Sequence, residues 1–404
     1  MVANKYKRYM YNMIKKAVDT IGPRPSCSDK EKELGQMMEK EWKQLADTVD
    51  VESFTCSPHA FLGFLPISVI LCFIGIALYW FFPPAGAFFA LIAFSMLFFE
   101  FMRYNEFIDF MFPKRQGENV IAKIKPRGEI KQRIIVSGHT DSAYEFNLWY
   151  WFKNASVPLM IIAIVGVLFI VGITIAKTVA FFTGGADAPI YTTLGYVALG
   201  FCPFISLFIV FHTYRPVPGA MDNMAGVSVT SAVGKYIDDA KKTGDFIPEN
   251  TEIVMIAMSS EEAGLRGTKR YVKRHIGELK EIPSYGIFVD GVHDERHLTV
   301  TTLELCTGAK HDKGLVNLAI DAASRRGWEM KTSVVPIGAS DASVFTTNGI
   351  PATCLLCQDT TKLIPNYHTR LDTPERIRPQ ALSTMLQVVL DMIERIDKGE
   401  FSKK

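Results

Sequence analysis

The chain has 404 residues, a formal net charge of +2 and 48% hydrophobic residues. A near-neutral charge without a basic stripe of interleaved aromatics excludes a nucleic-acid partner. Seven cysteines at irregular spacings exclude a disulfide framework and fit a reducing compartment. The mean hydropathy of +0.14 is high for a soluble enzyme, and the excess lies in two blocks.

The N-terminal stretch MVANKYKRYMYNMIKKAVDT carries positive charge with no continuous apolar run behind it, so no cleavable signal peptide is expected. Residues 4–20 and 29–48 have helical patterns. The first apolar block follows from about Ala60 to Met102, with helices expected at 60–82 and 85–102 and a tight turn at Pro83 and Pro84, soon after Tyr79-Trp80. Glu100 lies near the end of its span, where a carboxylate reaches the headgroups. Residues 119–125 and 132–138 read as paired strands. The aromatic run Phe146–Phe152 reads as an interfacial belt ahead of a second block, with helices at 156–179 and 190–212 joined by a loop containing Gly184-Gly185 and Pro189. Each block is long enough to cross a bilayer twice, at about 20 residues per crossing.

Beyond them, buried strands are expected at 251–260, 285–292, 332–338 and 350–357, and amphipathic helices at 225–241, 262–276, 312–326 and 376–397. Cys354 and Cys357 form a CxxC, but in the apolar run from Ile350 to Cys357 they read as buried strand residues. The fold class is α/β, with a mostly parallel central sheet flanked by helices and two inserted transmembrane helical hairpins. The catalytic domain takes residues 1–56, 105–152 and 215–404, and the hairpins take 57–104 and 153–214.

The polar residues that stand where strands end are the candidates for chemistry. They are His139 and Asp141 in Gly138–Ser142, Glu261 and Glu262 after strand 251–260, and Asp290 in strand 285–292. Asp222 follows the second block, and His368 lies near the C-terminus. Singly, each has an ordinary reading: a lone His is a hydrogen-bonded structural residue, and Glu-Glu is a solvated helix start. Among them, three carboxylates and two histidines are enough to suit a pair of divalent cations.

In this order the motifs GHTDS, PGAMDN, SSEEAGLRGT, FVDG and NYHTRLD, with the segment Gly338–Phe345, resemble the aminopeptidase Y and aminopeptidase S type of di-zinc exopeptidases. That group belongs to the MH clan, which includes glutamate carboxypeptidases. The resemblance covers about 1–56, 115–145 and 216–397, and implies the zinc exopeptidase fold. It implies two Zn2+ ions bridged by Asp222, one completed by His139 and Asp290 and the other by Glu262 and His368. Asp141 would orient His139, and Glu261 would be the general base that takes a proton from the attacking water. The interval from His139 to Asp222 is longer than in soluble relatives by about the length of the second hairpin, and the ligand set stays complete. The remaining histidines, His59, His212, His275, His293, His297 and His311, have no place in the pattern.

The expected activity is that of an aminopeptidase on peptides, hydrophobic or membrane-associated, with the lipid bilayer as second partner. Whether the chain is a homo-oligomer stays open. The alternatives are a carboxypeptidase using Arg266 or Arg370 for the substrate carboxylate, a glutaminyl cyclase, and a noncatalytic membrane receptor or scaffold. Arg103, Lys114, Arg115, Lys153 and Arg215 flank the spans on the catalytic side, against Asp187 and the nearby Lys177 opposite, so the catalytic domain is expected in the cytoplasm. From His212 to Asp222 the chain reaches at most roughly 36 Å, which predicts metals near the membrane surface.

Overall fold

The structure, a computed structural model, describes residues 2–401. Along the chain, α1 (Lys7–Lys16) and α2 (Asp29–Trp42) precede β1 (Thr48–Cys56), and two apolar helices follow, α3 (Ala60–Phe81) and α4 (Pro83–Met96). Next come β2 (Arg115–Ile124), β3 (Gln132–His139), β4 (Tyr144–Phe146) and the short α5 (Asn147–Phe152). The second apolar pair is α6 (Ser156–Thr183) and α7 (Pro189–Ser206), followed by β5 (His212–Pro216) and α8 (Ala225–Thr243). The rest alternates: β6 (Thr251–Met258), α9 (Arg266–Glu281), β7 (Ser284–Val292), β8 (Leu298–Glu304), β9 (Ala309–Lys310), α10 (Lys313–Ser324), β10 (Lys331–Val335), α11 (Asp341–Thr347), β11 (Ala352–Cys357) and α12 (Pro379–Asp397).

Two compact units result. One contains the chain up to Pro58, Lys114–Tyr144 and everything from Arg215; the other contains His59–Pro113 and Glu145–Tyr214.

The first unit is built on a sheet of order β1-β2-β6-β3-β7-β11-β8-β10, with β9 on β8. Its centre, β6-β3-β7-β11, is parallel, whereas β1, β2 and β8 run antiparallel to inner neighbours. The sheet is therefore mixed, and the expectation of a mostly parallel sheet holds for the centre and for the β8-β10 pair at the edge. The expected pairing of 119–125 with 132–138 is also overturned, because β6 lies between β2 and β3. The edge strand Thr48–Cys56 is not among the expected elements, and the helix expected over 29–48 ends at Trp42. Thr48, Val49, Val51 and Thr55 are β-branched and favour the extended chain, and β1 pairs with β2 along its whole length.

Alternation along the strands feeds two helical layers. Ile134, Val136, Ile253, Met255, Ile287 and Val289 join the core under α1, α2, α8, α10 and α12. Against the other face lie α9 and α11. The end of β3 meets the start of α8 so closely that a Cβ on Gly138 would stand 2.5 Å from the Gly226 carbonyl carbon. Only glycine allows that approach, and it brings the His139 end of β3 against the segment that carries Asp222.

The second unit has four helices long and apolar enough to cross a membrane, by length and composition. The break in the first pair falls on Phe82, and Pro83 and Pro84 open α4 instead of forming the turn themselves. Proline suits the first helical turn, where its missing N–H has no partner to lose. A Cβ on Gly86 would lie 2.8 Å from the Gly75 carbonyl, so α3 and α4 pack backbone to backbone there. Glu100 does not reach outward as expected. It is fully buried and accepts the backbone N–H groups of Phe107 at 2.8 Å and Ile108 at 3.1 Å, which fixes the chain leaving the hairpin.

Candidate metal centre

The parallel centre of the sheet delivers four polar segments to one edge, because neighbouring parallel strands end on the same side. β3 ends on His139, and β6 opposite it ends on Met258. After Met258 the chain turns through Ser260 and Leu265, both at positive φ, and this turn carries Glu261 and Glu262. The expected helix from 262 therefore starts only at Arg266. Asp290 sits two residues before the end of β7, paired with Leu356 on β11. Asp222 stands in non-helical geometry just ahead of α8, and His368 adopts φ 51° in the C-terminal loop.

These side chains converge on Asp222. Its Oδ1 lies 3.1 Å from His139 Nε2, and its Oδ2 lies 3.1 Å from His368 Nε2. Asp290 Oδ1 is 3.9 Å from His139 Nε2, and Glu262 Oε1 is 3.3 Å from His368 Nε2. Ligand atoms thus gather within 4.8 Å in two groups of three, His139/Asp222/Asp290 and Asp222/Glu262/His368, that share Asp222. A third group, His139/Glu261/Glu262, places Glu261 beside both.

The donor set fits two divalent cations. Three carboxylates and two imidazoles are borderline ligands of the kind zinc takes. Glu262 Oε1 is buried and accepts no hydrogen bond, a cost that cation ligation removes.

Asp141 does more than orient a ring. It is fully buried, and its Oδ1 lies 3.3 Å from His139 Nδ1. The same carboxylate accepts the Glu261 N–H at 3.1 Å, the Glu262 N–H at 3.0 Å and the Ser26 hydroxyl at 2.5 Å. One side chain therefore fixes a histidine and the backbone under both glutamates.

Three further residues support the centre without a role assigned from the sequence, although Asp372 closes the motif NYHTRLD. Arg24 is fully buried and donates to the carbonyls of Gly22, Thr140, Pro218 and Gly219, stapling the His139 loop to the segment before Asp222. Asp372 accepts the N–H groups of Met221 at 2.7 Å and Asp222 at 3.1 Å. Glu31 gathers the Ser260 N–H, the Cys27 N–H and the Thr140 hydroxyl. Of the three, Glu31 alone has a local structural pattern, the Ser28-x-x-Glu31 of a helix start, in which Ser28 Oγ accepts the Glu31 N–H. Tyr367, also unassigned, stacks on His368 with ring centroids 4.0 Å apart.

The crowding of acids shows in their proton affinities. Burial, reinforced by the Asp222 charge, pushes the Asp290 carboxyl up to about 7. Burial likewise holds Glu261 and Glu262 well above the ordinary carboxylate range, against the pull of His139. Burial opposes a charge on His139, but Glu261, Asp141, Asp222 and Asp290 outweigh it and raise its pKa well above the usual value. For Asp222 burial is outweighed in the other direction, and hydrogen bonds from His139 and His368 keep it ionised. Such a concentration of negative charge is relieved by cations.

The other expected candidates lie apart. Arg266 is buried, with Nε donating to the Ala263 carbonyl, and Arg370 is exposed. Cys354 and Cys357 are buried on β11, and all seven cysteines are free thiols.

Residues 206–393 match the model of Peptidase family M28. No curated protein sequence matches the chain. Among solved structures, a zinc aminopeptidase from Bacillus subtilis aligns with a TM-score of 0.57 at 15% identity, over 96% of this chain and 95% of that one. An aminopeptidase from Aneurinibacillus sp. strain AM-1 gives 0.57 and 15% over 96% and 93%. A glutaminyl cyclase from Bacteroides thetaiotaomicron gives 0.55 and 15% over 96% and 97%. The chain has the mixed α/β fold, a central sheet flanked by helices, of the zinc aminopeptidases of known structure.

Proposed function

We propose that this chain is a membrane-embedded aminopeptidase of the M28 type that removes N-terminal residues from peptides, with two zinc ions held by His139, Asp222, Glu262, Asp290 and His368. The observation that carries the reading is the pair of three-ligand groups sharing Asp222. His139 and Asp290 complete one ion's protein ligands, and Glu262 and His368 complete the other's. Bound there, the ions supply Lewis acidity, which acidifies water and polarises the peptide carbonyl.

The chain's own groups do the rest. Glu261 takes the proton of the attacking water and passes it to the departing amine, a task suited to a carboxylate whose pKa burial has raised. Asp141 holds the Glu261 backbone, so the base stays in place beside His139 without ligating. Beside Asp290 is a cavity of about 230 Å³ whose lining mixes apolar Val335, Ile337, Leu356 and Ile364 with polar Thr301, Ser333, Gln358, Asp359 and Lys362, and Tyr367 stands at its wall. Tyr367 keeps its phenolic proton, because burial and then the surrounding carboxylates raise its pKa, and so offers a hydrogen-bond donor at that wall. Hydrophobic or membrane-associated peptides are the proposed substrates, with the apolar part of this lining and the apolar helices as support.

A carboxypeptidase is the second reading, with Arg266, buried and donating through Nε to the Ala263 carbonyl, or the exposed Arg370 as the group for a substrate carboxylate. The apolar helices support membrane insertion as two hairpins, with the catalytic unit on the cytoplasmic side. Lys177, near the opposite loop, weakens the charge contrast; its Nζ lies 4.3 Å from the Tyr79 ring centroid and 5.6 Å from that of Trp80.

The test is Glu261→Gln. Loss of the base should lower kcat by roughly 100-fold or more while about two zinc ions stay bound per chain. A fully active Glu261→Gln chain would remove the mechanism.

A further inference from the structure

One wall of the cavity beside Asp290 is the segment Gly338-Ala339-Ser340, and it is gripped from behind by a buried, hydrogen-bonded Glu–His pair that the proposed chemistry does not use. Glu304 ends β8 with a fully buried side chain. Its carboxylate accepts the Ser340 N–H at 2.9 Å and the Ser340 hydroxyl at 2.6 Å. His311 Nε2 donates to the same carboxylate at 2.9 Å, and its other ring nitrogen pairs with Thr346 Oγ1 at 3.0 Å.

The pair therefore holds α11 at two points, Ser340 just ahead of its first residue and Thr346 near its end. Ser340 stands at the cap position of α11, where a serine ordinarily bonds the helix's own N–H groups, yet it makes no capping bond. Its hydroxyl is diverted to Glu304. The next residue, Asp341, is buried and bonded to the Thr268 hydroxyl on α9, so the segment is pinned from a second side. A buried polar pair gains little stability, since taking its groups out of water offsets much of their attraction. It is a good way to fix one geometry.

We propose that Glu304 and His311 are positioning residues for substrate: through Ser340 they hold the 338–340 wall, and so set the fit of the side chain that enters the cavity beside Asp290. The proposal rests on the peptidase reading of that site. A wall free to shift by an ångström would weaken substrate binding while leaving the ligands and Glu261 where they are.

The test compares the full zinc-loaded chain with its Glu304→Ala, Glu304→Gln and Ser340→Ala variants on leucyl and alanyl anilides. Zinc content and hydrogen exchange across residues 336–347 are read in parallel. Glu304→Ala should raise KM for the leucyl substrate at least about tenfold, keep kcat within about threefold and retain two zinc ions. Exchange across 336–347 should accelerate. Glu304→Gln, which restores an acceptor for Ser340, should recover most of the KM. Ser340→Ala removes one bond without touching the buried pair, and should raise KM by about threefold. An unchanged KM in Glu304→Ala, or a fall in kcat and zinc content as large as the rise in KM, overturns the positioning role. An unaltered chain that binds zinc and cleaves neither anilide contradicts the peptidase reading instead. In that case unchanged exchange across 336–347 in Glu304→Ala overturns the positioning role by itself.

Discussion

At the scale of single residues, the centre is a problem of too much negative charge in too little solvent. Asp222 touches both histidines, so it is the ligand whose loss should be felt twice. Asp222→Ala is expected to bring zinc content from about two per chain toward none, whereas Asp290→Ala should leave about one. Equal losses in the two variants would contradict the sharing. The raised carboxyl of Asp290, at about 7, gives a pH dependence with a definite sign. Below that pH the group is protonated and must release a proton to ligate, so zinc affinity should fall as pH drops through 7, and uptake near neutrality should release protons, as calorimetry in buffers of different ionisation enthalpy would show. These ligand candidates were readable because carboxylates and imidazoles at strand ends are conspicuous in a sequence. Arg24 and Asp372 were not: each acts on backbone groups of segments far away in the chain, and a sequence shows no such pairing.

At the scale of elements, the central strands were legible from their apolar runs, and the edges were not. β1 alternates weakly, lies at the rim of the sheet and follows a helix without a Gly or Pro break, so nothing local separates it from α2. The order of strands was hidden for a related reason, since the slot between β2 and β3 is filled by β6 from more than a hundred residues later. Arg24 belongs at this scale because it ties elements together. Its guanidinium satisfies four carbonyls, two of them in buried bonds, from three stretches of chain, and Arg24→Ala removes their donor. The variant should lose at least about 3 kcal/mol of stability, seen as a lower Tm in detergent, and should bind zinc more weakly. An unchanged Tm would mean that the loops are held by other contacts.

For the molecule as a whole, two pairs of apolar helices interrupt the fold of the zinc aminopeptidases, and if each pair crosses the membrane as proposed, the chain returns to the side it left. A cysteine introduced at Gly185, in the loop between α6 and α7, should be labelled by an impermeant thiol reagent on intact cells; labelling only after lysis would reverse the orientation. The hairpins themselves were legible because a run of about 20 apolar residues matches the thickness of a bilayer and exceeds what most buried core helices need, though the buried role of Glu100 was not. Whether the fold works as a peptidase is a separate matter, since related folds also support glutaminyl cyclase chemistry. The most direct measurement is turnover by the zinc-loaded chain of one apolar peptide in three forms, with a free N-terminus, with that amine acetylated, and with N-terminal glutamine. The account predicts stepwise release of N-terminal residues from the free peptide, none from the acetylated one, and no cyclisation of the glutaminyl form. Release from the C-terminus, cyclisation, or no reaction with two zinc ions bound would contradict it.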